Sequence, residues 1–171
     1  WVEWNGRQAL LFDLAARRFY VFGLVLYPQD FIYLAALLIV SAYALFLFTA
    51  VAGRLWCGFA CPQTVYTEIF VWVERLFEGD RTARLRLDAA PWNADKLWRK
   101  TGKQTAWIAI GLWTGFTFVG YFTPIRTLAA AAPHLGFGPW EWFWIAFYGF
   151  ATYGNAGWMR EQVCKYMCPY A

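Results

Sequence analysis

The feature that most constrains this chain is an unbroken apolar stretch from Phe31 to Ala52, FIYLAALLIVSAYALFLFTAVA, which contains no charged residue. A helix needs about 20 apolar residues to cross a bilayer, and this stretch has that length. Two further stretches, Gln104–Ile125 and Trp142–Met159, also lack charged side chains. The sequence therefore predicts an all-α fold, a polytopic integral membrane helical bundle to which this chain contributes three spans.

The composition agrees with a chain that has lipid as part of its solvent. It is 60% hydrophobic and 15% charged, whereas soluble domains have roughly 45–50% apolar and about 25% charged residues. The chain also holds 12 tryptophans and 10 tyrosines, residue types that are enriched at membrane interfaces. A net charge of +4 is too small to indicate a nucleic-acid partner.

The basic residues predict an orientation, because loops rich in Lys and Arg stay in the cytoplasm. Nine lie between the first two spans, and only Arg126 lies between the second and third. We therefore expect Gly53–Lys103 to be cytoplasmic and Thr127–Glu141 to be periplasmic. The nine are Arg54, Arg75, Arg81, Arg84, Arg86, Lys96, Arg99, Lys100 and Lys103.

The stretch Pro62–Phe77 repeats apolar residues at a helical period and carries a polar face. It predicts an amphipathic helix at the cytoplasmic membrane surface, or one that packs against a neighbouring soluble domain. The polar stretch Gly79–Lys103 predicts a basic loop along the inner leaflet. The predicted order along the chain begins with a segment at 1–30 that lies outside or at the interface. The first span with its motif follows at 31–61, and the amphipathic helix and basic loop occupy 62–103. The second span (104–125), a periplasmic loop (126–141) and the third span with its motif (142–171) complete the order.

All four cysteines fall into two copies of one pattern, Cys57-Gly-Phe-Ala-Cys61-Pro62 and Cys164-Lys-Tyr-Met-Cys168-Pro169. A spacing of four places two thiols on one face of a helix. The proline ends the helix and biases the preceding cysteine away from the helical region. Each motif is therefore expected to hold one thiol near a helix end and the other at a turn, with freed backbone N–H groups near sulfur.

An arginine precedes each motif, Arg54 and Arg160, and a nearby guanidinium lowers a thiol pKa. Structural cysteines would explain one or two isolated cases, and disulfides are disfavoured in a reducing cytoplasm. Soft thiolates suit an iron–sulfur cluster, Cu(I) or zinc. The pattern x3-C-P also closes the bacterial ferredoxin run, although the upstream part of that run is missing from both copies.

Two weaker candidate ligands accompany the thiols. Met167 could offer a thioether to copper, whereas His134, the single histidine, is expected to be a surface residue. The residues leave open whether the four cysteines form one site or two. Both motifs follow inward-running spans, so we predict that they lie close together on the cytoplasmic side.

Long stretches of the chain resemble a known family: GRQALLFDLAARRFYVFG, YPQDF, TAVAGRLWCGFACPQTVYTEIFVWVERLFEGDR, TGFTFVGYFTPIR and CKYMCPYA. They are similar to the cytochrome c oxidase accessory proteins of the CcoG family, also called FixG or RdxA. The resemblance implies a longer protein, with a membrane helix before Trp1. It also implies a ferredoxin-type domain for [4Fe-4S] clusters after Ala171 and then a periplasmic domain.

The resemblance further implies a bacterial inner-membrane protein of cbb3-type oxidase assembly, an oxidoreductase that reduces Cu(II) to Cu(I). Its partners would be copper ion, the lipid bilayer and oxidase assembly factors. The cofactor-binding and metal-binding residues would be Cys57, Cys61, Cys164 and Cys168, supported by Arg54 and Arg160. The alternatives are a metal-binding or scaffolding protein without turnover and a quinol-oxidising membrane ferredoxin.

Overall fold

The computed structural model describes the backbone of residues 3–4 and 7–168, and within this part the chain is mainly helical. The strands are β1 (Glu3–Trp4), β2 (Arg7–Gln8), β3 (Leu10–Asp13), β4 (Arg18–Val21) and β5 (Leu24–Leu26). The helices are α1 (Phe31–Leu55), α2 (Pro62–Glu78), α3 (Arg81–Ala89), α4 (Ala94–Val119), α5 (Ile125–Ala131), α6 (Pro139–Thr152) and the single turn α7 (Arg160–Gln162). Three π-helical turns lie at Trp56–Ala60, Tyr153–Trp158 and Val163–Met167, and two 3-10 turns at Pro28–Asp30 and Ala132–His134.

The predicted all-α fold is wrong, because the N-terminal part of the chain forms antiparallel strands. β1 pairs with β2, and a three-stranded sheet has the order β3-β4-β5. Leu10 lies opposite Val21, and Asp13 lies opposite Arg18 at the end of the hairpin. The Asp13 carboxylate accepts a hydrogen bond from the Ala16 N–H at 2.8 Å, which stabilises the turn by the local capping typical of Asp.

The chain divides into two compact units. The first comprises Trp1–Val51 and Gly115–Ala146, and it therefore contains the strands. Its core is formed by Val119, Leu128 and Ile145. The Gln8 side chain fixes the strands to this core. It donates to the Gly120 carbonyl at 2.7 Å and accepts from the Ile125 N–H at 3.1 Å. A local strand pattern is therefore stabilised by residues more than a hundred positions away.

The second unit comprises Ala52–Thr114 with the chain from Phe147 onward. Its core contains Phe70, Val73, Trp107 and Ala156. The rings of Phe70 and Trp107 stack at 5.2 Å, and the Trp107 indole N–H donates to the Phe70 carbonyl at 3.2 Å. This unit contains all four cysteines.

The amphipathic helix predicted at Pro62–Phe77 is confirmed as α2. Its apolar side chains divide into two faces, since Phe70 and Val73 are buried in the core of the second unit. A second stripe is exposed and contains Val65, Ile69, Trp72 and Leu76. The buried face shows that α2 packs on residues of its own chain, which the sequence analysis did not consider.

The polytopic bundle is also wrong, since one described helix, over Ile32–Gly53, is long and apolar enough to cross a membrane by length and composition. In the second predicted span α4 covers only residues 104–119, which gives roughly 24 Å at 1.5 Å per residue. Helix α6 has 14 residues, or roughly 21 Å. Both are shorter than a hydrocarbon core of about 30 Å.

The predicted basic loop over Gly79–Lys103 is largely helical. Helix α3 occupies Arg81–Ala89, and α4 begins at Ala94, ten residues before the predicted span. The polar start of α4 explains why its apolar part is short: the helix begins among charged residues. Asn93 stabilises this start by accepting the Ala94 N–H at 2.8 Å, as expected of a residue at a helix N-terminus.

Gly111 and Gly115 on α4 have the G-x-x-x-G spacing that permits close approach of helix backbones. A Cβ at Gly111 would lie 2.8 Å from the carbonyl oxygen of Gly149. A Cβ at Gly115 would collide with the carbonyl oxygen of Ile145. Both distances are too short for real Cβ atoms, so the glycines are required by the packing of α4 against α6.

Candidate thiol site

The first cysteine motif lies in the π-helical turn Trp56–Ala60, which follows α1. Cys61 ends this turn in an extended conformation (φ −65°, ψ 123°). Its N–H donates to the Trp56 carbonyl at 2.9 Å. Pro62 then begins α2 at a position where its missing N–H is not needed. Proline therefore separates the two helical segments, as the sequence predicted.

The second motif repeats this local geometry. The π-helical turn Val163–Met167 is followed by Cys168, which is extended (φ −81°, ψ 123°). The Cys168 N–H donates to the Val163 carbonyl at 3.1 Å. In both motifs the N–H of the second cysteine bonds a carbonyl five residues earlier. That donor is therefore engaged by backbone and does not point at sulfur, contrary to our expectation.

Two polar contacts fix the surroundings of the first motif. The Thr64 hydroxyl donates to the Cys57 carbonyl at 2.6 Å. The Gln63 side-chain amide donates to the Asn155 carbonyl at 2.9 Å, and Asn155 lies in the π-helical turn Tyr153–Trp158. The start of α2 is therefore connected directly to the segment that leads into the second motif.

The four cysteines belong to the same compact unit. All are free, with Cys57 and Cys164 exposed and Cys61 and Cys168 half-buried. Partial burial raises the pKa of the Cys164 thiol, and charge on Cys61, Cys168 and Cys57 raises it further. Coulombic effects of this kind weaken with distance. That the two motifs lie close together stays a prediction, since these directions give no distance between the thiols.

The described thiols do not form a preassembled ligand set. Over residues 3–4 and 7–168, no group of three or more His, Cys, Asp or Glu side chains is arranged to hold a metal ion. Four thiolates are nevertheless the donor set that iron–sulfur clusters and Cu(I) prefer. The chemistry of these residues fits such a centre, provided that the exposed cysteines move inward on binding.

Arg160 was expected to lower the pKa of a thiol in the second motif, but its guanidinium contacts other groups. Its guanidinium lies 3.1 Å from a Glu74 carboxylate oxygen and donates to the Ala156 carbonyl at 2.9 Å. It also lies 5.3 Å from the centre of the Trp107 ring. The pKa of Cys164 is raised, opposite to the expected direction. The side chain of Arg54 lies outside the described residues.

The ion cluster around Glu74 is a polar feature of the second unit that was not predicted from the sequence. Glu74 lies 2.7 Å from Arg84, 3.1 Å from Arg160 and 3.7 Å from Lys103. Lys103 also lies 2.7 Å from Glu78, which is 2% exposed. The available signal was the spacing of Glu74 and Glu78, which places two acids on one face of α2.

The weaker candidate ligands are both exposed. Met167 is 77% exposed at the end of the second motif. His134 lies in the 3-10 turn Ala132–His134 of the first unit, and its side chain is exposed. The structure supplies no contact that would make His134 a ligand among the described residues.

Comparison with known proteins identifies related sequences. A family model described as a 4Fe-4S binding domain matches residues 34–79. The nitrogen fixation protein FixG of Rhizobium meliloti is 45% identical over 99% of this chain and 33% of its own length. Protein RdxA of Cereibacter sphaeroides is 45% identical over 99% of this chain and 37% of its own length. Protein RdxB of the same organism is 43% identical with the same coverage.

The chain therefore spans about a third of the length of the curated relatives that it matches. No solved structure matches it. The 4Fe-4S match supports the iron–sulfur part of the prediction and includes only Cys57 and Cys61 of the four cysteines.

Proposed function

We propose that this segment, which is 45% identical to FixG and RdxA over 99% of its length, belongs to a membrane electron-transfer protein that handles copper for assembly of a cbb3-type cytochrome c oxidase. The observation that carries the proposal is the pair of identical Cys-x-x-x-Cys-Pro motifs, whose four free thiols belong to one compact unit. Thiolates favour Cu(I) over harder ions, so a cupric ion captured here becomes easier to reduce.

The proposed reaction is a one-electron reduction. Cu(II) is the substrate, and Cys57, Cys61, Cys164 and Cys168 bind it as it becomes Cu(I). The electron for each copper ion would come from iron–sulfur clusters held by a downstream domain, each cluster giving up one electron for each Cu(II) reduced. The match of residues 34–79 to a 4Fe-4S binding domain supports iron–sulfur chemistry in this protein. Arg54 is proposed to support thiolate formation in the first motif.

We also propose that the segment lies in the bacterial inner membrane with its motifs on the cytoplasmic side. Helix α1 carries a long apolar surface, of which only 6% of the residues are buried. A surface of this size needs lipid or protein to cover it. The basic residues that follow it between Gly53 and Lys103 favour the cytoplasmic side. A membrane-impermeant maleimide should label the exposed Cys57 in inverted vesicles and spare it in intact spheroplasts. Labelling of spheroplasts alone would contradict this orientation.

The thiol proposal is tested by replacing cysteine pairs with serine in the full-length protein. We expect Cys57→Ser/Cys61→Ser to lower Cu(II) reduction at least roughly tenfold, because hard oxygen ligands bind Cu(I) poorly. Membrane insertion should be unchanged. The matched control is Met167→Leu, which removes an exposed thioether and leaves all four thiols in place. Full activity of the cysteine variant would refute the proposal.

The same variants distinguish one shared site from two independent pairs. In a shared site, Cys57→Ser/Cys61→Ser and Cys164→Ser/Cys168→Ser should each remove all tight Cu(I) binding, measured by competition with a chromogenic chelator. Independent pairs would leave half of the bound copper in each double variant. Iron content and cluster absorbance of the full-length protein report whether the variants also disturb the clusters.

A further inference from the structure

The second unit contains a cleft that the thiol chemistry does not use. Its volume is about 300 Å³, and it is lined by Glu74, Arg84, Lys103, Gln104, Trp107, Gly157, Trp158 and Arg160. These residues come from α2, α3, α4 and the segment before the second motif. A cleft of this size is at the lower end of the range for small-ligand sites.

Charge is unevenly distributed in this cleft. Three cations, Arg84, Lys103 and Arg160, line it with a single carboxylate, Glu74. The Lys103 ammonium lies 2.7 Å from a Glu78 carboxylate oxygen and forms an ion pair with it. Neither Glu78 oxygen makes a hydrogen bond among the described residues. Even with Glu78 included, the cluster keeps one excess positive charge. Partly desolvated excess charge is costly, so an anion that enters the cleft is stabilised.

The three cations differ in how far they remain available to a ligand. The Lys103 side chain is 11% exposed and is held between two carboxylates. Arg160 is 24% exposed, and Arg84 is 36% exposed. Two guanidinium groups therefore reach the open side of the cleft while Glu74 orients both. Planar guanidinium forks match the oxygens of a phosphate group better than a lysine ammonium does.

We propose that this cleft is a binding site for the phosphate group of an anionic ligand. Arg84 and Arg160 contact the phosphate oxygens, and Lys103 supplies charge from behind. The exposed Trp158 at the rim offers an aromatic surface to whatever substituent the phosphate carries. The ligand is either a phospholipid headgroup or a soluble phosphate compound, since both present the same chemistry. The proposal stands on charge and geometry, independently of the thiols.

The site is tested with the full-length protein in a maltoside detergent and phosphate-free buffer. Inorganic phosphate is titrated at constant ionic strength and followed by calorimetry. Dioleoylphosphatidylglycerol is titrated separately and followed by native mass spectrometry. Saturable binding of phosphate alone identifies a soluble phosphate as the ligand, and tight binding of the lipid identifies a headgroup. Either result supports the site, and the absence of both overturns it.

The matched variants are Arg84→Gln and Arg86→Gln. Both remove one arginine from α3, but Arg86 is exposed and does not line the cleft. We expect Arg84→Gln to weaken phosphate binding about tenfold, on the order of one lost charge-assisted contact. Arg86→Gln should bind as the parent protein does. Equal weakening in both would overturn the proposal, because it would indicate general attraction to basic charge.

A second substitution keeps the test valid if Arg84→Gln disturbs the fold. Arg84→Lys retains the charge and the pairing with Glu74 while it removes the planar fork. We expect Arg84→Lys to bind phosphate more weakly than the parent protein does and more tightly than Arg84→Gln does. Parent-like binding by Arg84→Lys would refute the assigned role of the guanidinium.

Discussion

Replacement of Glu74 by glutamine should destabilise the protein by removing the charge that holds four helical segments together. Glu74 lies on α2 and pairs with Arg84 on α3, Lys103 on α4 and Arg160 on α7. Its side chain is 9% exposed. Glutamine has nearly the same shape, so Glu74→Gln changes charge while it preserves packing. The measured loss therefore reports electrostatics.

The magnitude follows from the surroundings of each partner. The pair with Arg84, which is 36% exposed, contributes only about 0–1 kcal/mol. Breaking a fully buried pair costs roughly 3–5 kcal/mol. Lys103 keeps Glu78 as a partner, and Arg160 keeps the Ala156 carbonyl, so part of that cost is avoided. We expect a loss of roughly 2–3 kcal/mol in the free energy of unfolding, somewhat below the buried-pair range because part of that cost is avoided.

The assay is reversible unfolding of the full-length protein in mixed micelles, followed by tryptophan fluorescence. Glu68→Gln is the matched control, because Glu68 lies on the same helix and is exposed. This control should change the free energy of unfolding by no more than about 0.5 kcal/mol. Equal effects of the two substitutions would refute the argument, since it depends on burial rather than on charge alone.

Three further changes test the packing and the surface. Gly111→Ala should destabilise the protein by roughly 1–3 kcal/mol, because the added Cβ has no room against α6. Gly53→Ala is the control, since its Cβ would meet open space, and thermal unfolding measures both variants. Phe70→Ala should cost roughly 3–5 kcal/mol, since the ring is fully buried, and denaturant titration checks this. Lys100 lowers the pKa of Asp88, so the pair is stabilising above the ordinary carboxylate pKa of about 3.9. That stabilisation is lost as pH falls through the lowered pKa. The stability difference between the parent and Asp88→Asn should therefore shrink in acid, and a constant difference would contradict it.

Several features were predictable because they depend on residues close together in the chain. Proline after Cys61 and Cys168 forces the preceding residue out of the helical region, and Cys61 and Cys168 are both extended in the structure. The apolar period of Pro62–Phe77 predicted α2 within a residue of its bounds. The resemblance to the FixG/RdxA proteins rests on local sequence stretches, and the relatives found by comparison carry those names.

The predicted membrane bundle was wrong because hydropathy alone does not show where each helix ends. Sequence windows measure apolar character, and the windows over 104–125 and 142–159 are apolar enough. The backbone leaves the helix at the turn after Val119 and at the π-helical turn after Thr152. The first of these ends is joined to a distant segment, because the Gln8 amide donates to the Gly120 carbonyl at 2.7 Å. No window over the apolar stretch contains that information.

The sequence by itself determined the helix of α2, the turn in each cysteine motif and the identity of the four thiols. The tertiary structure decided which charges meet. Arg160 lies four residues before Cys164 in sequence, yet its guanidinium pairs with Glu74, 86 positions away. A side chain's pKa and partners depend on distances through space, and chain position fixes those distances only within a helical turn. The pKa of Cys164 is therefore raised by burial and by neighbouring thiols rather than lowered by the arginine beside it.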